Sequence, residues 1–446
     1  MKIVIAGAGD IGFHLAQLLS YENQDIILID TNQDVLDYAH THLDVITIRG
    51  DSSSVGVLRE AQVHKANLVL AVTTSEKNNL ITAIMAKKLG ARQTIARVNN
   101  EEYLEEEQRA NFMEMGIDNL IAPPQLAARE IARLVQQCSF TDIFDFEDGK
   151  VSLVGAHVDD RSPMVNMTIE ELAGKYPETP FKLIAVLRGD RTIIPRGHTV
   201  LKRHDHVYFL SQKACIDQIN EIAGKSSVTV RNVMIVGGGD VGLRSALLLE
   251  NDYNVTLVEK EKEVCKLLIE KLHNTLIITG DPGNIELLKE EGLGRMDAFI
   301  AVTPNAETNI IASLMAEELG VEKTIALVDN TYYTHISRNI GVDTIINKKL
   351  IAANNIFRFV RKGKIEALTS LHGVNAEVIE FIVHKRNRLT KHPIRELYFP
   401  EKALIGSVIR NNEALIPDGD FQMEVNDRVI VFALPEAISK LEKLFR

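Results

Sequence analysis

The stretch MKIVIAGAGDIGFHLAQLLS, residues 1–20, decides the fold. KIVIAG is a short apolar, β-branched run closed by glycine, the pattern of a buried strand. Beyond it Ile11, Leu15, Leu18 and Leu19 recur at helical spacing. Between them Gly7, Gly9 and Gly12 have the G-x-G-x-x-G spacing of a dinucleotide turn, with Ala8 inside it. Gly7 permits the tight strand-to-helix turn, Gly9 lets the backbone approach a pyrophosphate, and Gly12 lets the helix pack on the strand. The amides of Asp10 and Ile11 then point at phosphates from a helix N-terminus. The next strand, DIILID, ends in Asp30, 18 residues past Gly12. A carboxylate there accepts from a ribose diol and repels a 2′-phosphate, which favours NAD(H) or another adenosine nucleotide over NADP(H).

The motif returns. GGGDVG at residue 237 answers GAGDIG at residue 7, an offset of 230. LAVTTSEKNNL ending at Leu80 answers IAVTPNAETNI ending at Ile310, and IARV ending at Val98 answers IALV ending at Val328, at the same offset. Several matches in order mean a duplicated domain. A second repeat follows each copy: Pro195, Gly197 and Asp205 answer Pro417, Gly419 and Asp427, offset by 222. The expected modules are 1–138, 139–225, 226–360 and 361–446, with AGKSSVTVRN (Ala223 to Asn232) as the polar linker between halves.

In the first module LDVITIRGD, ANLVLAVT and QTIARV are further strands, with helical stretches such as Asn79 to Leu89 between them. Alternating strands and helices give an α/β class with two Rossmann-like, doubly wound parallel-sheet domains. Each is followed by a small α+β lobe. There KLIAVLRGDRTIIPRG and ALIGSVIRNNEALIPDG read as strand, polar turn, strand, and a helix such as Ala437 to Phe445 closes the lobe.

The chain has 446 residues and a formal net charge of -11, which argues against nucleic acid as the main partner. Cys138, Cys215 and Cys265 have no metal or disulfide spacing and imply a reducing compartment. No apolar run is long enough to span a membrane. A cytoplasmic chain is expected, reaching a membrane only by docking.

Further candidates follow from strand ends, where ligands collect in open α/β sheets. Thr73 and Thr74 end the fourth strand. Arg97 ends the fifth, where a cation meets phosphate oxygens. Asp51 and Asp281 sit at matched GD turns, where turn chemistry and nucleotide contact are equally plausible. The second half repeats the set as Gly237, Gly238, Gly239, Asp240, Val241, Gly242 and Glu259, but has Leu327 for Arg97 and Pro304 for Thr74. The two sites are therefore not equivalent. RHDH, with His204 and His206, and HKRNR, His384 to Arg388, read as solvated turns, and no metal site is expected.

On the glycine motifs, IARV, and the paired C-lobe pattern IPDGD…ND.VIVFAL, the whole chain resembles the TrkA family of potassium-uptake regulators, built from two tandem RCK units. The resemblance implies a peripheral cytoplasmic subunit rather than an enzyme, assembled as a homo-oligomeric ring beneath a TrkH/TrkG-type membrane K⁺ channel and gating it in response to NAD(H) or ATP/ADP. It carries the nucleotide contacts onto Gly7 to Ile11, Asp30, Thr73, Thr74 and Arg97, and in the second half onto Gly237 to Val241 and Glu259. Two alternatives stay open: an NAD-dependent oxidoreductase, and a regulator of a different cation transporter or antiporter. Against the first, no candidate His or Lys base recurs at matched positions in both halves.

Overall fold

In the computed structural model the first repeat contributes β1 (Lys2–Ala6), β2 (Asp25–Asp30), β3 (Ile46–Arg49), β4 (Leu68–Ala71), β5 (Gln93–Arg97) and β6 (Asn119–Ile121). All pair in parallel, in the order β3-β2-β1-β4-β5-β6. The chain winds outward from β1 to β3, then returns to the other side of β1 at β4. That reversal is the switch point of a doubly wound sheet, where a crevice opens at the strand C-termini. β1 and β4 are almost wholly buried, as strands covered by helices on both faces must be. The sequence pattern signals the first five strands. β6 is a three-residue strand too short to show a period. The structure describes residues 1–20, 24–138, 140–146, 149–159, 162–189, 191–224, 230–329, 342–361, 368–370 and 376–445. Residues 225–229 of the expected linker and Asp190 of an expected turn lie outside them.

The first small lobe is an antiparallel sheet of β7 (Asp142–Phe146), β8 (Val151–His157), β9 (Phe181–Arg188), β10 (Arg191–Ile193) and β11 (His206–Gln212), ordered β10-β9-β11-β8-β7. The second parallel sheet follows: β12 (Asn232–Val236), β13 (Asn254–Glu259), β14 (Thr275–Thr279), β15 (Ala298–Ala301), β16 (Lys323–Leu327) and β17 (Thr344–Ile346), ordered β14-β13-β12-β15-β16-β17. The last lobe has β18 (Leu368–Ser370), β19 (Glu377–Ile382), β20 (Ala403–Arg410), β21 (Glu413–Leu415) and β22 (Arg428–Ala433), ordered β18-β19-β22-β20-β21. Helices Ile216–Ala223 and Pro435–Phe445 close the two lobes. Both lobe sheets shift register at the same place, Ile184 in β9 and Gly406 in β20.

The lobe signature has a structural cause. Asp205 is fully buried and holds Arg188 through two bonds, Nε and one terminal nitrogen each at 2.7 Å, and it also accepts the Lys202 amide at 2.8 Å. Asp427 repeats this with Arg410, at 2.9 and 2.8 Å, and with the Glu424 amide at 2.7 Å. The aspartate hydrogen bond pushes each arginine above its ordinary range. RHDH is only partly a solvated turn. His204 is exposed, but His206 begins β11, is buried, and lies with Nε2 2.6 Å from Thr141 Oγ1 and 3.4 Å from the Asp142 carboxylate. A polar residue that opens a strand right after a turn carries no signal of burial. His384 to Arg388 are mostly exposed, as expected of a turn.

By internal contacts the chain divides into two units, Met1–Ala128 with Asn347–Val360, and Arg129–Ile346 with Arg361–Arg446. The first unit thus takes in a helix of the second repeat, Lys348–Arg361. Inside the second unit the two small lobes share one core, in which Leu153, Tyr208 and Leu210 pack with Val378, Ile430 and Phe432. A Cβ on Gly406 would come 2.5 Å from Leu210 Cδ2, so the sheets are in contact there. Among the described residues no helix is long and apolar enough to cross a membrane.

Candidate functional site

The C-terminal ends of β1, β4 and β5 open into a cleft of about 550 Å³, within the range of small-ligand sites. Gly7, Gly9, Asp10, Ile11, Asp30, Asp51, Thr73, Thr74 and Arg97 all line it. Ala8 and Gly12 support the lining from behind. Ala8 is buried, and its amide donates to Asp30 Oδ2 at 2.7 Å. The Asn32 amide donates to the other oxygen, Oδ1, at 2.9 Å. Two backbone donors thus fix the carboxylate, and each oxygen keeps a further lone pair with which to accept a hydroxyl.

The three glycines have different reasons to be glycine. Gly7 has φ +105°, and a Cβ there would lie 2.8 Å from the Thr73 amide nitrogen. A Cβ on Gly12 would lie 1.8 Å from the Gly7 carbonyl oxygen. The fold alone requires both. Gly9 has no left-handed φ, and its Cβ would meet no atom within 4 Å. No steric contact within the protein requires a glycine there. Helix Asp10–Ser20 starts at this point, and its first amides have no acceptor within the helix. Its first backbone bond runs from Phe13 N to Gly9 O at 2.8 Å.

Thr73 is more structural than the sequence suggests. Its amide and its hydroxyl both donate to Asn79 Oδ1, at 2.8 and 2.7 Å. Asn79 Nδ2 donates back to the Thr73 carbonyl at 3.0 Å and across to the Arg97 carbonyl at 2.9 Å. Fully buried, Asn79 ties the ends of β4 and β5 together. Asn309 does the same for Thr303 and Leu327 in the second half, at 2.9 Å from the Thr303 amide and 2.8 Å to the Leu327 carbonyl. Its signal was its place in the matched repeats SEKNNL and NAETNI. Asp51 Oδ1 accepts the Ser53 amide at 2.9 Å and hydroxyl at 2.8 Å, so turn chemistry engages one oxygen of a residue that also lines the cleft.

The second turn repeats the first in its backbone. Gly237 has φ +105°, a Cβ on Gly242 would lie 1.9 Å from the Gly237 oxygen, and a Cβ on Gly239 would meet nothing within 4 Å. Gly239 caps helix Asp240–Leu249, in which Val241 and Gly242 are buried. Glu259 accepts the Gly238 amide at 2.6 Å and the Glu261 amide at 2.8 Å. The side chains differ. Leu268 Cδ1 would stand 2.6 Å from a Cβ on Gly238, the position of Ala8. Leu327 is buried and Pro304 is exposed. Asp281 accepts the Gly283 amide at 2.9 Å and lies 4.0 Å from Lys260. Among the described residues no cluster of His, Cys, Asp or Glu could hold a metal ion.

Two lining residues came with no warning from sequence. Lys348 and Lys349, at the start of helix Lys348–Arg361, line the first cleft, and Lys349 Nζ is ion-paired with Asp10.

The chain matches the TrkA-N domain at residues 3–123 and 233–348, and the TrkA-C domain at residues 153–224 and 378–446. It is 35% identical to the Trk system potassium uptake protein TrkA homolog of Archaeoglobus fulgidus, with 100% of each chain covered. It is 33% identical to the Trk system potassium uptake protein TrkA of Halomonas elongata, over 100% of this chain and 99% of the other. Its fold is similar to that of the GsuK channel, with a TM-score of 0.63 at 17% identity, over 99% of this chain and 78% of that one. It is also similar to the GsuK channel bound to NAD, with a TM-score of 0.60 at 16% identity, over 100% of this chain and 78% of that one.

Proposed function

Because the chain belongs to the TrkA family, we propose that it is the nucleotide-binding regulatory subunit of a potassium uptake system. The observation that carries this reading is Gly9, a glycine whose missing side chain opens onto a cleft already furnished with a fixed carboxylate and cations. An adenosine nucleotide fits these residues. Asp30 would take the ribose diol, the amides of Asp10 and Ile11 the first phosphates, and Arg97 a phosphate oxygen farther along. NAD(H) and ATP/ADP both satisfy the ribose and pyrophosphate contacts. Leu327 removes the cation that Arg97 supplies in the first cleft, so the second site binds more weakly or takes a less anionic ligand.

Regulation requires that the ligand bind two shapes of the assembly unequally. The partner is a membrane K⁺ channel of the TrkH/TrkG type, met at the inner face of the membrane by a homo-oligomeric ring of this chain. An oxidoreductase would instead need a base beside the nicotinamide, and no candidate His or Lys recurs at matched positions in the two repeats. Two measurements test the proposal. Calorimetry with NADH, ATP and ADP should show binding that Arg97→Ala weakens. Purification from native membranes should bring down a potassium channel. Absence of nucleotide binding, or consistent recovery of a transporter for another ion, would overturn it.

A further inference from the structure

Three cations reach the first cleft, and two of them do not come from the repeat that builds it. Arg97 ends β5. Lys348 and Lys349 follow β17 in sequence, at the end of the second parallel sheet. With Ile121 of β6 matched to Ile346 of β17, their counterparts in the first repeat are Pro123 and Pro124. The lysine pair is therefore a property of the second copy alone, placed in the cleft of the first. Nor does burial explain it: the Lys349 side chain is 30% exposed and that of its partner Asp10 is 71% exposed. Asp10 directly follows Gly9, so Lys349 sits at the turn where the phosphates would lie.

We propose that Lys348 and Lys349 are phosphate-binding residues of the first cleft, and that they favour a nucleotide with a terminal phosphate over a dinucleotide. The inference rests on the reading of the cleft given above. In a dinucleotide both phosphates are esterified and flanked by nucleosides, and the Gly9 turn with Arg97 suffices for them. A triphosphate extends further and ends in an ionised group that needs additional cations. The cleft is lined by three carboxylates, Asp10, Asp30 and Asp51, against the three cations Arg97, Lys348 and Lys349. An arriving polyphosphate meets Asp10 as a repelling neighbour and Lys349 as an attracting one. An exposed ion pair is weakly held, so a phosphate can take Lys349 from Asp10. Lys349 then turns to the ligand, and the helix that continues from β17 carries the change. One nucleotide in the first repeat thereby acts on a segment of the second.

The test uses the full chain and calorimetry with ATP and NAD. The double variant Lys348→Gln with Lys349→Gln should weaken ATP by at least about tenfold and NAD by less than about threefold. Lys349→Arg should retain ATP binding, which separates charge from fold, and Asp10→Asn should tighten it. Unchanged ATP affinity in the double variant overturns the inference, and so does equal weakening of ATP and NAD. If the unaltered protein binds neither nucleotide, the reading of the cleft fails first, an outcome distinct from normal binding that is indifferent to the lysines.

Discussion

Replacing Gly9 by alanine should separate binding from folding. The added Cβ meets no atom within 4 Å and needs no left-handed backbone. Its counterpart Gly239 sits at φ −66° and ψ −171°, a conformation open to any residue. Two small effects oppose each other. Alanine is a poorer N-cap than glycine, at a cost of up to about 1 kcal/mol. It also restricts the unfolded chain, which contributes roughly 0.4–1 kcal/mol in the other direction. The net change stays within about 1 kcal/mol, a Tm shift of no more than about 4 °C. Gly7→Ala must instead hold φ +105° with its methyl 2.8 Å from the Thr73 nitrogen, and Gly12→Ala must place a methyl 1.8 Å from the Gly7 oxygen. Strain and overpacking there cost at least about 3 kcal/mol.

Binding should follow another order. The methyl of Gly9→Ala takes the space through which a phosphate approaches the Asp10 and Ile11 amides. A hydrogen bond to a charged acceptor contributes about 1.5–3 kcal/mol. Losing one weakens the nucleotide by roughly 10- to 150-fold. Thermal melting and calorimetry on the same preparation read both effects. If Gly9→Ala binds like the unaltered protein, phosphates do not sit on this turn. If it melts like Gly7→Ala, the glycine serves the fold, and the reasoning from empty space around Gly9 is wrong. Gly239→Ala applies the same logic to the second turn: where that turn is occupied, one class of binding events should vanish while Tm holds.

Other sites give independent checks. Asn79→Ala strands the Thr73 amide and two strand-end carbonyls, so urea unfolding should show a loss of roughly 3 kcal/mol, together with weaker nucleotide binding. Asp427→Asn leaves Arg410 with one charged partner, Glu424 at 2.7 Å, and should cost about 2–3 kcal/mol without touching nucleotide affinity, since the pair lies in a small lobe. Lys182, in the contact between the small lobes, donates to the Pro417 carbonyl at 2.6 Å, and burial pulls its ammonium down from 10.5 to about 8, against the opposing pull of Asp418. The folded chain thus releases a proton that the unfolded chain keeps. Stability should rise from pH 8 to 10.5, by at most about 3 kcal/mol, and the penalty should be fully present below pH 8. Lys182→Met should flatten that rise in melts taken across the range; an unchanged slope would show that another group causes it.

What sequence could reveal divides by the distance over which each feature is encoded. β1, its glycine turn and Asp30 were legible because period, turn chemistry and spacing all act within some thirty residues. Asn79 was legible only through its copy at Asn309, since a buried asparagine inside a helix has no signature of its own. The burial of His206 has no sequence signal, because a strand that opens on the residue after a turn gives no alternation to judge by. The shared core of the small lobes was invisible for a different reason: both sheets are apolar on the face they bury, and nothing in a period-two pattern says whether a helix or another sheet will cover it. Lys349 marks the limit. Its partner Asp10 lies 339 residues away, and a lysine pair at the start of an amphipathic helix reads as solvated surface. A duplicated chain can place the helix of one copy on the sheet of the other without altering any local pattern in either. Once it has, positions that were equivalent at duplication face different neighbours, and a substitution in the second copy alters the lining of the first cleft. The asymmetry between Arg97 and Leu327 and the lysines at 348 and 349 then have one physical description: cations of both copies are gathered at one cleft, while the turn of the second copy has Leu327 where the first has Arg97.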